Sequence, residues 1–221
     1  MPSIWFKIGE AFPADDPVAR FVTVVAMISN DWQRLVQRMV ELDDADCVHE
    51  AAQAEQAALL IENYRLQAAL HYEAARLLQQ AYERFPEVRN FIDGLTPEAI
   101  AEFRLVIGGV TKGSPNYHGD WFSDARNATF HYSKLNRRER VGKGLAAAAE
   151  EIGAISLGDS FASVRFGFAD KVALKWLGGS QPEAEIEAKL VGLRESVMAL
   201  TQFAQRALGV YLGTRGIELP A

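Results

Sequence analysis

The stretch DPVARFVTVVAMISNDWQRLVQRM, residues 16–39, decides the fold class of this chain. Its first two residues, Asp16 and Pro17, are a typical helix start, with the Asp as cap and the Pro at the first helical position. Apolar side chains then recur at three- and four-residue steps, which is the spacing of one helix face: Val18, Phe21, Val22, Val25, Ile28, Trp32, Leu35, Val36 and Met39. The pattern predicts an amphipathic helix of roughly six or seven turns.

Two further long helices are predicted. Residues 48–85 are rich in Ala, Glu, Gln, Leu and Arg, which are good helix formers, and Pro86 ends the run. The expected buried stripe of this helix consists of Leu59, Leu66, Leu70, Leu77, Ala81 and Phe85. In the last helix, Ser180 and Glu183 form a capping box. Its expected core stripe is Ile186, Leu190, Leu193, Val197, Leu200, Ala204, Ala207 and Tyr211.

Shorter helices are expected between these long ones. One covers residues 86–93 and is closed by Gly94, and a second covers 97–107 with Thr96 as its cap. Residues 108–120 are rich in glycine and are expected to form a loop, after which Asp120 caps another helix. Together these elements predict a single all-α domain over residues 1–221, a helical bundle of three long amphipathic helices plus shorter ones.

The segment near residues 155–170 is compatible with either helix or strand. Val164, Phe166 and Phe168 alternate with other residues as in a β-strand, so a small β-hairpin near residues 155–170 is an alternative there. Residues 170–177 are compatible with a helical turn or two. A second weak signal is Asn136 with Glu139, which resembles a capping box for a helix that runs into 146–151.

Composition excludes several classes of protein. The net charge of −6 argues against a surface coated for nucleic-acid binding, so any RNA contact must come from a local patch. The single cysteine, Cys47, cannot form an internal disulfide, which fits a reducing compartment. Residues 1–16 lack a basic start followed by an apolar run, and no apolar run is long enough to cross a bilayer. We therefore expect a cytoplasmic protein with no membrane partner.

The chemistry is concentrated in WFSDARNATFHYSKLNRRER, residues 121–140. On a helix, Asn127 and His131 are four residues apart and share a face, and the long side chain of Arg126 can reach toward the histidine. A histidine titrates near neutral pH, and an arginine matches phosphate oxygens. RNA carries its own nucleophile in the 2′-hydroxyl group. These residue types therefore suit RNA cleavage at a site that converges on one phosphate.

Other catalytic and cofactor motifs are absent from the sequence. There is no Cys-x-x-Cys, no His-Glu-x-x-His and no Gly-x-Ser-x-Gly. Lys112-Gly113-Ser114 leads into Pro115 and not into a helix, so it is not a phosphate-binding P-loop. We accordingly expect neither a metal site nor a cofactor.

Arg126-Asn127-Ala-Thr-Phe-His131 resembles the Arg-Asn/Asp/His-x-x-x-His motif of the HEPN superfamily. The resemblance implies an all-α bundle and, as in many members, a metal-independent endoribonuclease of toxin–antitoxin, phage-defence or CRISPR systems. It implies that Arg126 and His131 are catalytic and that Asn127 supports them. It further implies a homodimer, because HEPN sites are usually built from the motifs of two protomers. HepT-like members place a tyrosine two residues after the histidine, whereas Tyr132 follows His131 directly and is only an accessory candidate here.

Several residues allow two interpretations. The basic run Lys134, Arg137, Arg138, Arg140 and Lys143 is either an RNA-binding surface or a solvated helix face. His118 either enters the site or lies on the surface of its loop, while His49 and His71 are expected to be structural. The aromatic residues Trp121, Phe122, Phe130 and Tyr132 are expected to pack and not to stack on bases.

The sequence is also compatible with functions other than RNA cleavage. Arg126 and His131 are compatible with a polar seam that joins packed helices. The chain is also compatible with a non-catalytic HEPN-like module that binds a partner protein or nucleotide, or with a helical dimer that has no ligand. A small antidote-like neighbouring gene would favour a toxin with an antitoxin partner.

Overall fold

A computed structural model describes residues 5–43, 50–130, 145–150, 169, 172, 175 and 183–217. Seven helices have defined bounds in these ranges, residues 145–147 are also helical, and no strand occurs among the described residues. They are α1 (Ile8–Ala11), α2 (Pro17–Asp43), α3 (Glu50–Arg84), α4 (Pro86–Asp93), α5 (Pro97–Gly108), α6 (Gly119–Phe130) and α7 (Glu183–Gly213). The predicted all-α fold class is confirmed.

Helix α2 begins as its sequence predicts. The side chain of Asp16 accepts a hydrogen bond from the backbone N–H of Val18, with 2.8 Å between Oδ1 and N. The predicted stripe is buried at Phe21, Val22, Val25, Ile28 and Trp32. Toward the end of the helix the prediction fails at Val36, which is exposed.

The prediction for the buried stripe of α3 is wrong. Leu59, Leu66, Leu70, Leu77 and Ala81 are only half-buried, and Phe85 is exposed and lies outside the helix as the cap of α4. With the exception of Leu78, the enclosed positions are instead small or polar: Ala58, Asn63, Gln67, Ala68, Ala69, His71, Ala74 and Ala75. Alanine permits neighbouring backbones to approach closely, and the larger leucines are left at the flanks of this contact.

The short helices have the predicted ends. Gly94 closes α4, and the hydroxyl of Thr96 accepts from the backbone N–H of Ala99 at the start of α5. Residues 109–118 connect α5 and α6 without a helix or strand, as predicted. The prediction that Asp120 caps the next helix is wrong, because α6 begins at Gly119 and Asp120 lies in its first turn.

The chain divides into two compact units. The first comprises Met1–Gln33, Leu70–Gly119 and Val191–Ala221. Its core is held by rings from three helices: Phe203 of α7 lies 6.4 Å from Phe21 and 5.5 Å from Phe103, measured between ring centroids. The predicted stripe of α7 is buried from Leu193 to Tyr211, Leu190 is half-buried, and the side chain of Ile186 lies outside the described residues.

The second unit comprises Arg34–Ala69 and Asp120–Leu190. Here α2 and α3 are joined by a buried polar contact, because the Asn63 amide donates to the backbone oxygen of Leu35 at 3.1 Å. The Gln67 amide in turn donates to the Asn63 side-chain oxygen at 3.1 Å, so both polar atoms of the Asn63 side chain are hydrogen-bonded. The organisation of the chain as one domain stays a prediction.

Several predicted features lie outside the described residues. They are the capping boxes at Asn136 and Ser180, His49, and residues 155–168 of the alternative hairpin. Ala169 at the end of that segment is helical, as are Val172 and Lys175 in the predicted helical turns. Within the described ranges, no helix has both the length and the apolar character that a bilayer crossing requires.

Candidate functional site

The first half of the Arg-Asn-x-x-x-His motif lies on α6. Phe122 and Ala125 are fully buried on one face of this helix. Arg126 follows Phe122 by one helical turn, so it lies at the edge of the buried face, and it is half-buried. The burial of Phe122 confirms that this ring packs in the core, and the half-buried Trp121 ring lies beside it at 5.4 Å between centroids.

The second half of the motif lies outside the described residues. This holds for His131, for Tyr132, and for the cations Lys134, Arg137, Arg138, Arg140 and Lys143, as well as for the side chains of Asn127 and Phe130. The convergence of Arg126, Asn127 and His131 on one phosphate therefore stays a prediction. What is established is that Arg126 and Asn127 occupy consecutive positions of a helix.

His118 is packed in the first unit and is not a plain surface residue. It is the last residue before α6, and its backbone N–H donates to the carbonyl oxygen of Gly109 at 2.9 Å. Its half-buried imidazole lies against Gly192 of α7. A Cβ atom at Gly192 would lie only 2.8 Å from the ring Nε2 of His118. The absence of a side chain at Gly192 therefore makes room for the imidazole.

A small polar recess of about 30 Å³ opens beside His118. It is lined by Leu105, Asn116, His118, Gly192, Glu195 and Ser196. An open groove of about 600 Å³ runs along α5 next to it, lined by Pro97, Ile100, Ala101, Arg104, Leu105 and Asn116. The recess and the groove share Leu105 and Asn116, so they are adjacent parts of one concave surface of the first unit.

Behind the recess lies a buried serine–histidine pair. The hydroxyl of Ser196 and the ring Nε2 of His71 are 2.8 Å apart, and both residues are buried. The indole of Trp32 meets the His71 ring edge-on at 6.3 Å between centroids. Burial, with a smaller contribution from repulsion by His118 when both rings are protonated, lowers the pKa of the His71 imidazole to about 3. His71 is therefore neutral at pH 7, and its predicted structural role is confirmed.

The Ser196–His71 pair does not fit a nucleophile and its base. A general base works best with a pKa near the operating pH, and that of His71 is far below it. Ser196 is only 4% exposed, and the recess beside it is no larger than about one water-sized group. The pair joins α3 to α7 inside the first unit.

The sequence reasoning missed the residues of the recess other than His118. The available signal was Gly192, because a glycine inside a helix costs stability relative to alanine and can therefore indicate a close approach by another group. Asn116, Glu195 and Ser196 carry no comparable signal, since each is common in loops or on helix surfaces.

Among the groups of histidine, cysteine, aspartate and glutamate in the described residues, none is arranged to hold a metal ion. Comparison of the chain with protein-family models, curated proteins and solved structures finds no match.

Proposed function

We propose that this protein is a metal-independent endoribonuclease of the HEPN type, acting in the cytoplasm in a toxin–antitoxin or phage-defence setting. The observation that carries the proposal is the placement of Arg126 and Asn127 at consecutive positions of α6, in a chain of all-α class. The partners in this proposal are RNA, a second copy of the chain and an antitoxin or regulatory protein. No cofactor takes part.

The proposed reaction uses the 2′-hydroxyl of the RNA as nucleophile. Its oxygen attacks the adjacent phosphorus, the P–O5′ bond breaks, and the products carry a 2′,3′-cyclic phosphate and a 5′-hydroxyl. His131 transfers protons between the attacking and leaving oxygens, and Arg126 stabilises the negative charge of the pentacoordinate phosphate. Asn127 orients the phosphate or the imidazole.

The proposed RNA-binding surface is the basic run of Lys134, Arg137, Arg138, Arg140 and Lys143. Cations that neutralise phosphates release counterions, so their removal weakens binding evenly across RNA sequences and reduces its salt dependence. Replacement of Arg137 and Arg138 by Gln is expected to do both in a filter-binding titration. Unchanged binding would identify the run as a solvated surface.

The nuclease activity is tested with purified protein, EDTA and an RNA that contains a single 2′-deoxy position. Cleavage is expected to persist in EDTA, to fail at the 2′-deoxy position and to leave cyclic-phosphate or 3′-phosphate ends. His131→Ala is expected to lower the rate by about 10²–10⁴-fold through loss of proton transfer. Arg126→Ala is expected to lower it by about 10²–10³-fold through loss of charge stabilisation.

Arg20→Ala is the matched control, because Arg20 is an exposed arginine of α2. It should cut RNA like the parent protein, and circular dichroism should show that all three variants are folded. Parental rates in His131→Ala, or complete inhibition by EDTA, would contradict the mechanism. If a folded parent protein cuts no RNA but binds a partner protein or nucleotide, the non-catalytic HEPN-like module becomes the better description.

A further inference from the structure

The groove along α5 and the polar recess beside it differ in chemical character. Apolar atoms of Pro97, Ile100, Ala101 and Leu105 line most of the groove, and among the described residues that line it Arg104 carries the charge. The recess adjoins the groove at Leu105 and Asn116 and is lined mainly by polar side chains. A ligand that fills both must therefore have an apolar body and a small polar head.

The lining of the recess selects the kind of polar head. The Glu195 carboxylate can only accept hydrogen bonds, whereas Asn116, Ser196 and the ring of His118 can each accept or donate. His71, which lies behind Ser196, is neutral and adds no positive charge. An anionic head would meet the negative charge of Glu195, whereas a cationic head would satisfy these acceptors with its N–H groups.

The size of the recess limits the head further. Its volume of about 30 Å³ suits one water-sized group, such as a primary ammonium, and is too small for a guanidinium or a quaternary ammonium. Arg104, in the groove, would repel a second positive charge on the body of the ligand. Polyamines are therefore disfavoured relative to monoamines.

We propose that the recess and groove of the first unit form a binding site for a small primary monoamine with an apolar body. The ammonium group binds Glu195 and Asn116 in the recess, and the hydrocarbon lies along Ile100 and Leu105 in the groove. The site goes beyond the proposed nuclease and does not rest on it.

The test is an NMR titration of the full-length protein at pH 7 with n-hexylamine, and with hexan-1-ol as the neutral probe of the same length. Hexylamine is expected to bind with a dissociation constant on the order of 1 mM and to shift the amide signals of Asn116 and Glu195. Hexan-1-ol should bind at least about tenfold more weakly, because it lacks the charge-assisted hydrogen bonds.

Glu195→Gln removes the charge at an exposed helix position, so the variant should fold, and it is expected to weaken hexylamine binding about tenfold. Glu187→Gln, at another exposed position of α7 outside the recess lining, is the matched control and should bind like the parent. Equal affinity for amine and alcohol, or unchanged hexylamine binding in Glu195→Gln, would overturn the proposal. So would the absence of binding at a hexylamine concentration of roughly 10 mM, about tenfold above the expected dissociation constant. The titration contains no RNA, so its outcome is independent of nuclease activity.

Discussion

At the scale of single residues, His71 shows how strongly position alters a side chain. It lies on a helix rich in Ala and Glu, where nothing in the local sequence marks it as special. In the fold it is fully buried, bonded to Ser196 and in edge contact with Trp32. Burial penalises the charged form of an imidazole, which is why the pKa of His71 falls to about 3.

This shift predicts a specific loss of stability in acid. The pKa of His71 is lower in the folded protein than its ordinary value of 6.5, so its contribution to stability is complete above pH 6.5 and is lost as the pH falls toward 3. Between pH 7 and pH 5 we expect the free energy of unfolding to fall by about 2 kcal/mol because of this one group. Urea unfolding at both pH values measures the loss.

His71→Gln should reduce that pH dependence, because glutamine keeps a hydrogen-bonding group and cannot take up the proton. The variant itself is expected to be less stable than the parent at pH 7, so the change between the two pH values is the quantity compared. If the free energy of unfolding of His71→Gln changed with pH as much as that of the parent, His71 would not be the source of the pH dependence.

At the scale of secondary-structure elements, Asp16 joins the start of α2 to the end of α7. One carboxylate oxygen caps α2 through Val18, and the other accepts from the Tyr211 hydroxyl at 2.9 Å and pairs with Arg215 at 2.6 Å. The Arg215 guanidinium also lies over the Tyr211 ring, with 5.3 Å between its central carbon and the ring centroid. Asp16, which the sequence predicts only as a helix cap, therefore also connects α2 to the end of α7.

The environment of Asp16 sets its titration. Partial burial alone would raise its pKa, but hydrogen bonds from Tyr211, from the backbone of Val18 and Ala19, and from Arg215 lower the pKa below 3.8. The contribution of these contacts is thus present above pH 3.8 and is lost as the pH falls further through the folded-state value. Burial and the hydrogen bond to Asp16 raise the pKa of the Tyr211 hydroxyl above its ordinary value, so it keeps donating this bond further into the alkaline range.

Asp16→Ala is expected to lower the free energy of unfolding by about 2–3 kcal/mol, since it removes the cap and the contacts to α7 together. Asp16→Asn should lose less, about 1 kcal/mol, because its side-chain oxygen can still cap the helix. The neighbouring exposed Asp15→Ala is the control and should be nearly neutral in the same denaturant titration. If Asp16→Ala and Asp15→Ala had the same free energy of unfolding, the contacts of Asp16 would not contribute to the stability of the protein.

At the scale of the whole molecule, the proposed nuclease needs two chains. The composite site that the HEPN resemblance implies requires two copies of the Arg126–His131 motif to meet, and a closed two-fold dimer is the simplest arrangement that achieves this. We expect light scattering at micromolar concentration to give a mass about twice the 24.4 kDa of one chain. A monomer at that concentration would count heavily against catalysis by Arg126 and His131.

Much of the fold was determined by the sequence alone. Helix boundaries at Pro17, Pro86 and Pro97 follow from the fixed backbone of proline and from capping side chains, which act within a few residues. The stripes of α2 and α7 were also predictable in their central turns, because large apolar residues recur there at helical spacing. The all-α class follows from these local rules.

Tertiary structure alone decided which face of α3 is buried and where the polar groups of the first unit meet. Helical spacing favoured a stripe of leucines in α3, but several of its alanines together with Asn63 and His71 are enclosed instead. The facing helices determine how closely each face is approached. His71 and Ser196 are 125 positions apart in sequence. The missing side chain at Gly192 matters only because the ring of His118, from another part of the chain, packs against it. Local sequence encodes the path of the backbone within one helix, whereas contacts between distant segments depend on how all the helices pack together.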